Sequence, residues 1–136
     1  MDASLANARL IARSDLNADL CIVRIAPDSG QVPAFEPGQF ATLGLPESDE
    51  APGRLVRRPY SIASSPDARD HIELLLARVK EGHFTSRFWP LRPGSPIWLD
   101  PHIHGRFTLA AVPPDADLVM VATGTGIAPF MSMLRT

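Results

Sequence analysis

Fourteen prolines in 136 residues narrow the fold more than any other feature of this sequence. Proline lacks an amide hydrogen and its ring clashes inside a helix, so prolines spread along a chain argue against a helix bundle. They suit strands that start, stop or run along edges between turns. A chain this long builds one well-buried domain with little left for a second. Its 45% hydrophobic and 21% charged content is ordinary for a soluble globular protein.

Taken in order, Ala8 to Arg13 and Leu20 to Ala26 read as two strands joined by a polar connection. The second alternates only in part, which suits a strand covered on more than one side. Pro27-Asp28-Ser29-Gly30 is a turn, and Pro37-Gly38 sets a tight approach to a strand from Gln39 to Leu43. Leu45 to Arg54, polar and rich in proline and glycine, is expected to be a long hairpin loop. A strand from Val56 to Ala63 follows, then a turn over Ser65 to Asp70. Ile72 to Val79 is nearly all apolar, as for a strand covered on both faces. Gly82 to Trp89 lacks a two-residue period and predicts a short helix. Pro96 to Asp100 is a strand, and Gly105 to Leu109 begins a further one. Phe35, Phe40, Phe88 and Trp98 are assigned to the core. The expected fold is an all-β, antiparallel, six-stranded barrel with one short helix.

The pattern changes after Pro113-Pro114. Leu118 to Ala122 is a short apolar run, followed by Thr123-Gly124-Thr125-Gly126-Ile127-Ala128-Pro129 and a helix-competent tail. That is a parallel-type strand, a glycine turn and a helix, the opening unit of an α/β nucleotide-binding domain. The expected division is therefore a barrel over 1–114 and the truncated start of an α/β domain over 115–136. A lone βα unit cannot complete a sheet, so the sequence reads as a fragment whose last segment lacks partners for its apolar faces.

Three stretches carry chemistry. In Arg58-Pro59-Tyr60-Ser61-Ile62-Ala63-Ser64, alternation along a strand puts Arg58 and Tyr60 on one face and Pro59 and Ser61 on the other. A guanidinium and a phenol ring on one face suit a diphosphate and an attached planar heterocycle, and an ordinary strand with a polar rim has the same pattern. Gly82 to Arg87 places Thr85 and Ser86 near a helix start, where hydroxyls cap backbone N–H groups or hold a phosphate. Gly124-Thr125-Gly126 lets backbone approach a diphosphate, although Pro129 stands where the usual fingerprint has a third glycine and a plain strand-to-helix connection looks alike. Residues 1–53 hold three basic and eight acidic groups and residues 54–136 ten and seven. An anionic ligand is therefore expected on the second part, and solvated surface charge accounts for the imbalance equally.

In this order the three stretches resemble the ferredoxin–NADP⁺ reductase superfamily, most nearly its bacterial ferredoxin/flavodoxin reductases. The resemblance implies a Greek-key FAD-binding barrel (the FR-type flavoprotein domain) followed by the start of an NAD(P)-binding domain. It implies that Arg58 pairs with the FAD diphosphate beside Pro59, that Tyr60 stacks on the isoalloxazine, and that the Ser61 hydroxyl lies near flavin N5, so that Tyr60 and Ser61 are the catalytic pair. Ala77 and Val79 would line the flavin, while Gly82, Phe84, Thr85 and Ser86 hold the diphosphate. Thr123, Gly124, Thr125 and Gly126 would face the nicotinamide nucleotide, with Ala128 and Pro129 shaping its pocket. The activity implied is an oxidoreductase that passes electrons between NADP(H) and ferredoxin or flavodoxin, with NAD(H) as the alternative nucleotide. The family's basic residues for the NADP⁺ 2′-phosphate lie beyond Thr136, as does its C-terminal flavin-covering segment.

Other classes have less support. Net charge is −2, so no general affinity for nucleic acid or acidic membranes follows. Cys21 is the single cysteine, which excludes an intrachain disulfide and a cysteine-held iron–sulfur cluster within this chain. His102 and His104 share a strand face without a third ligand, so no metal site is expected. No paired carboxylates or nucleophile–base arrangement suggest hydrolysis. The start has no signal-peptide pattern and no apolar run reaches membrane-spanning length, so a cytoplasmic protein, monomeric at full length, is expected. The alternatives are the reductase component of an oxygenase and a non-catalytic barrel that binds a partner protein.

Overall fold

The computed structural model describes residues 5–136, so the start of the sequence, Met1 to Ser4, lies outside it. Six strands form in chain order: β1 Ala8–Asn17, β2 Leu20–Pro27, β3 Phe40–Ser48, β4 Ala51–Ser61, β5 Ile72–Ala77 and β6 Pro96–Leu99. Among the described residues there are two short helices, α1 Thr85–Phe88 between β5 and β6, and α2 Ala128–Leu134 near the C-terminus, led by a 3-10 turn over Gly124–Ile127. The spatial order is β4-β3-β6-β1-β2-β5, with all neighbours antiparallel. Two hairpins, β1–β2 and β3–β4, are joined through β6, a Greek-key arrangement. An antiparallel bridge between Ile62 and Leu74 brings the two ends of the sheet together and closes the barrel.

Strict alternation builds the interior. Ala8 and Leu10, then Cys21, Val23 and Ile25, then Ala41 and Leu43, then Leu74 and Leu76, and finally Ile97 are completely buried. Phe84 and Phe88, four residues apart and therefore on one helix face, join the same core and stack at 5.9 Å. Each such phenyl ring contributes about 2–3 kcal/mol by leaving water, so the short α1 is anchored by packing.

The β5 strand has the two-sided cover its apolar run predicts as far as Leu76, but it ends at Ala77 rather than at the expected Val79, which is exposed. Ile72, Leu74 and Leu76 face the barrel core, while Leu75 joins a second cluster with Ala63 and Ala128, against which Ile22 and Met131 pack. That second cluster also explains the broken alternation of β2. Its outer layer is α2, whose Ala128, Pro129 and Ser132 are buried.

Several expectations need correction. The predicted long loop over Leu45 to Arg54 is mostly strand: β3 and β4 run on to Ser48 and from Ala51, with Asp49 and Glu50 at the turn. The Ser48 hydroxyl accepts the Ala51 N–H at 3.1 Å, and the proline and glycine content hid the alternation. No strand forms over Gly105 to Leu109; Gly105 at φ +129 turns the chain away after a single Phe40–His104 bridge. Leu118 to Ala122 joins no ladder, and Val119 and Val121 stay exposed, because a parallel strand needs a neighbour delivered by a crossover. Trp98 is only half-buried, with the Arg57 guanidinium 4.5 Å from its ring centre, and Phe40 is likewise outside the buried core.

The helix after Ala128, expected to lack a partner, has one on the barrel side. Its other side, through Phe130 and Met133, borders an apolar recess of about 230 Å³ with Phe107 and Leu118. Pro37-Gly38 forms the turn that leads into β3, and Gly38 at φ +105 also lies so close to Phe107 that a Cβ there would run into its carbonyl.

Candidate functional site

The barrel is closed by little more than one bridge, and the site lies at that seam. Among the named strands β4 pairs with β3 alone and β5 with β2 alone. The free edge of β4 around Arg58 to Tyr60 therefore looks across a gap toward the chain that leaves β5. Two recesses open there and share Tyr60 as a wall. One, of about 120 Å³, is bordered by Arg58, Tyr60, Val79, Gly82, His83, Phe84 and Thr85. The other, of about 260 Å³, is bordered by Pro59, Tyr60, Ser61, Leu75, Thr125, Gly126 and Ala128. Strand alternation distributes the side chains as its period requires: Arg58 serves the first recess, Pro59 and Ser61 the second.

Tyr60 is packed between. Its ring lies 5.8 Å from that of Phe84 with the planes tilted by 46°. Burial pushes its phenol up to about 12, against a smaller opposing pull from the Arg58 guanidinium. The side chain is thus a neutral aromatic wall at any physiological pH. Arg58 is exposed and donates from Nη1 to its neighbour's carbonyl, Arg57 O, at 2.7 Å. Among the described residues it has no carboxylate partner, so its charge is available to an anion.

The turn between β5 and α1 is fixed by one hydroxyl. Thr85 Oγ1 accepts the Val79 N–H at 3.0 Å and donates to the Val79 carbonyl at 2.9 Å. Thr85 is itself buried. This hydroxyl is therefore committed to the backbone, and the Ser86 hydroxyl leans on the His83 carbonyl at 3.4 Å. What the turn offers a ligand is main chain: among the described residues the N–H groups of His83, Phe84 and Thr85 have no protein acceptor. Gly82 fits closely there, since a Cβ would sit 3.0 Å from Thr85 Oγ1, Val79 Cβ and the Val79 carbonyl and would press on them. Val79 itself leaves 59% of its surface exposed, an apolar face at the mouth of the recess.

The glycine turn arrives on the C-terminal segment. Gly124 has φ +54, and the 3-10 turn runs directly into α2 with proline in its first turn, the placement proline tolerates best. Three contacts hold the segment to the barrel. The Ser132 hydroxyl, fully buried, donates to the Ser64 carbonyl at 2.7 Å. Arg135 donates to the Ala63 carbonyl at 3.2 Å and to Glu73 Oε1 at 2.9 Å. Glu73 Oε2 accepts from Arg24 at 3.1 Å. Burial alone would raise the Glu73 carboxyl, but the bonds from Arg135 and Arg24 outweigh it and hold the group below its ordinary value.

Of the residues expected from the sequence, Arg58 through Ser61, Val79, Gly82, Phe84, Thr85, Thr125, Gly126 and Ala128 border the two recesses. Ala77, Ser86, Thr123, Gly124 and Pro129 do not; Pro129 is buried and Thr123 and Gly124 are exposed. Phe84 reaches the recess from a side chain in the core, so its backbone is what a ligand meets. Leu75 and His83 border the recesses without having been singled out. Leu75 could have been found from its place in the outward row of β5, and His83 from its position inside the Gly82–Ser86 turn. His102 and His104 stack at 6.3 Å well along the chain from this groove.

A six-stranded antiparallel barrel thus brings an arginine, an aromatic wall and a glycine-led turn together at its seam. A sequence profile of the oxidoreductase FAD-binding domain matches residues 7–104, and the chain belongs to that family. It is 39% identical over 101 residues to ferredoxin–NADP reductase of Azotobacter vinelandii, covering 74% of this chain and 37% of the relative. It is 38% identical to ferredoxin–NADP reductase B of Sorangium cellulosum, covering 94% of this chain and 50% of the relative. The solved ferredoxin NADP⁺ reductase of Neisseria gonorrhoeae, with bound FAD and NADP, superimposes with a TM-score of 0.82 at 28% identity, covering 95% of this chain and 50% of that one. The chain thus spans between 37% and 50% of the length of these relatives.

Proposed function

We propose that this chain is the FAD-holding part of a ferredoxin/flavodoxin–NADP⁺ reductase, a barrel over 1–114 followed by the opening of the pyridine-nucleotide domain over 115–136. The observation that carries the reading is the meeting, at one barrel seam, of the Arg58–Ser61 edge, the Val79–Thr85 turn and the Thr125–Gly126 turn. The residues present fit the cofactor. A diphosphate needs a cation and backbone N–H donors, which Arg58 and the His83–Thr85 turn supply. A flat heteroaromatic ring needs an aromatic wall and apolar edges, which Tyr60 and Val79 supply. Bound there, FAD would provide the conversion between hydride and single-electron transfer, while the protein positions it.

The roles of the side chains follow. Arg58 neutralises the diphosphate and sets its register, and Tyr60 supports the ring as a neutral phenol. Ser61 carries a hydroxyl into the second recess, on the side where Thr125 and Gly126 stand, and so contributes a hydrogen bond where the nicotinamide meets the flavin. The backbone of Thr123–Gly126 and the Ala128–Pro129 step frame the nucleotide. NADP(H) is the proposed cosubstrate and ferredoxin or flavodoxin the proposed carrier, on the strength of the relatives' names. No helix among the described residues is long and apolar enough to cross a membrane. A cytoplasmic monomer at full length is the assembly proposed.

The test is a titration of the purified chain with FAD, followed by flavin fluorescence and the visible spectrum. Arg58→Ala should weaken binding about 10–100-fold, the range for losing a hydrogen bond to a charged group. Tyr60→Ala should weaken it as well and alter the flavin band shape. Unchanged affinity in both variants would favour a non-catalytic barrel instead.

A further inference from the structure

The outward row of β5 does something that the flavin-holding residues do not account for. Successive outward positions on a strand are two apart. Here they are Glu73, Leu75 and Ala77, and the first two meet the C-terminal segment. On α2 the matching residues are Ala128, Ser132 and, at its end, Arg135, the four- and three-residue steps that place side chains on one helix face. Ala128 packs on Leu75, Ser132 bonds to the Ser64 carbonyl, and Arg135 bonds to Glu73. The recess at Tyr60 and Ser61 is bounded by Leu75 on one side and by Thr125, Gly126 and Ala128 on the other. Its width is therefore the seating of α2.

Glu73 is prepared for this task. It is 6% exposed, and its direct cross-strand partner on β2 is Arg24, which holds Oε2. Oε1 is thereby aimed at Arg135, which sits at the helix C-terminus, where a cation also meets the favourable end of the helix dipole. The Glu73 backbone is tied to the same junction: its N–H donates to Ser64 Oγ at 2.9 Å, and its carbonyl accepts the Ala63 N–H at 2.8 Å. One residue thus touches the barrel seam through its main chain and the nucleotide segment through its side chain.

We propose that Glu73 is a positioning residue which, through Arg135, seats the Thr125–Gly126 turn over Tyr60 and Ser61 and so sets the recess in which a nicotinamide meets the flavin. This rests on the flavin reading above, and the experiment separates the two. The chain is prepared with Glu73→Gln, Arg135→Met, both together, and Arg24→Met, which removes the other partner of the same carboxylate. Three quantities are read: FAD affinity, amide hydrogen exchange over residues 128–134, and the rate at which bound flavin is bleached by 1-benzyl-1,4-dihydronicotinamide. That donor carries the nicotinamide without the rest of the nucleotide, so it needs only this recess.

FAD affinity should stay within about twofold in all four variants, since none touches the groove. Exchange over 128–134 should rise about tenfold in Glu73→Gln and in Arg135→Met, the lower end for a charged hydrogen bond because Arg135 is partly exposed. Arg135→Met also loses the bond to the Ala63 carbonyl, so the double variant should match Arg135→Met alone, because the Glu73 change removes no further contact to the helix once Arg135 is gone. The limiting bleaching rate should fall in the same three variants, while Arg24→Met changes it least. Additive exchange effects, or a bleaching rate unmoved while exchange rises, would overturn the proposal. Failure of the unaltered chain to bind FAD would overturn the flavin reading beneath it, and the exchange measurement, which needs no cofactor, would still report whether Glu73 seats the helix.

Discussion

The most informative single substitution is Thr85→Val. Valine keeps the β-branched shape of threonine, so the change removes a hydroxyl and little volume. That hydroxyl closes two hydrogen bonds with one residue, accepting from Val79 N–H at 3.0 Å and donating to Val79 O at 2.9 Å, and it is buried. At about 0.5–1.5 kcal/mol for each bond, the loss is about 2 kcal/mol. For a chain of this size that corresponds to a fall of roughly 7 °C in Tm. The same bonds hold the turn that presents the free N–H groups of His83 and Phe84 and the exposed Val79 side chain, so FAD affinity should fall along with stability. Thermal denaturation followed by circular dichroism, with a parallel FAD titration, measures both. Thr85→Ser keeps the hydroxyl and should recover most of each loss. Ser86→Ala removes only the 3.4 Å contact to the His83 carbonyl and should stay within about 0.5 kcal/mol of the parent. A Thr85→Val chain as stable as Ser86→Ala, or no recovery with serine, would refute the clamp.

Two further outcomes follow from the same geometry. Gly38→Ala should destabilise by at least about 2 kcal/mol, because φ +105 is strained for any side chain and the new Cβ meets the Phe107 carbonyl; a thermal melt close to the parent's would count against that close approach. Tyr60 is the only tyrosine, so phenolate absorbance near 295 nm reports it alone, and ionisation should centre near pH 12 in the folded chain against 10 for an ordinary phenol. Because the unfolded chain loses this proton first, the contribution to stability is intact below pH 10 and disappears as pH rises from 10 to 12, and an ordinary midpoint near 10 would show that the ring is not buried.

The barrel was readable because its strands alternate: Leu74 and Leu76, or Cys21 and Val23, carry the two-residue period openly. The β3–β4 hairpin was not, because Pro46, Pro52 and Gly53 mimic a loop composition while still permitting an edge ladder. Leu118 to Ala122 shows the opposite failure. Its composition is that of a buried strand, but strand formation is decided by a neighbour, and none is present among the described residues. At the candidate site, the three stretches named from the sequence border two neighbouring recesses, and the individual side chains are placed by contacts the sequence does not show. Thr85 reads in one dimension as a helix-capping or a phosphate-holding hydroxyl; in three, it braces the turn through Val79. Glu73, inside an apolar run, read as nothing in particular, because its meaning lies in Arg24 across the sheet and Arg135 sixty-two residues away.

These observations bear on why the groove lies where it does. A sheet edge is a liability, since its unpaired N–H and C=O groups invite another chain, and full closure of a barrel removes it. Here closure is partial. The bridge between Ile62 and Leu74 and the bond from Ala63 N–H to the Glu73 carbonyl seal one end of the seam. At the other end β4 from Arg58 to Tyr60 has no partner beyond β3, and the chain leaving β5 is pulled aside by the Thr85 clamp on Val79. The gap keeps backbone polar groups beside an aromatic and a cation, which an apolar core could not tolerate and which the proposed diphosphate-bearing cofactor would satisfy. The sealed end is the end on which α2 is seated. Closing one end of the seam fixes the second segment, and leaving the other open provides the groove, so the contacts that complete the barrel also determine how the two halves of the site face each other.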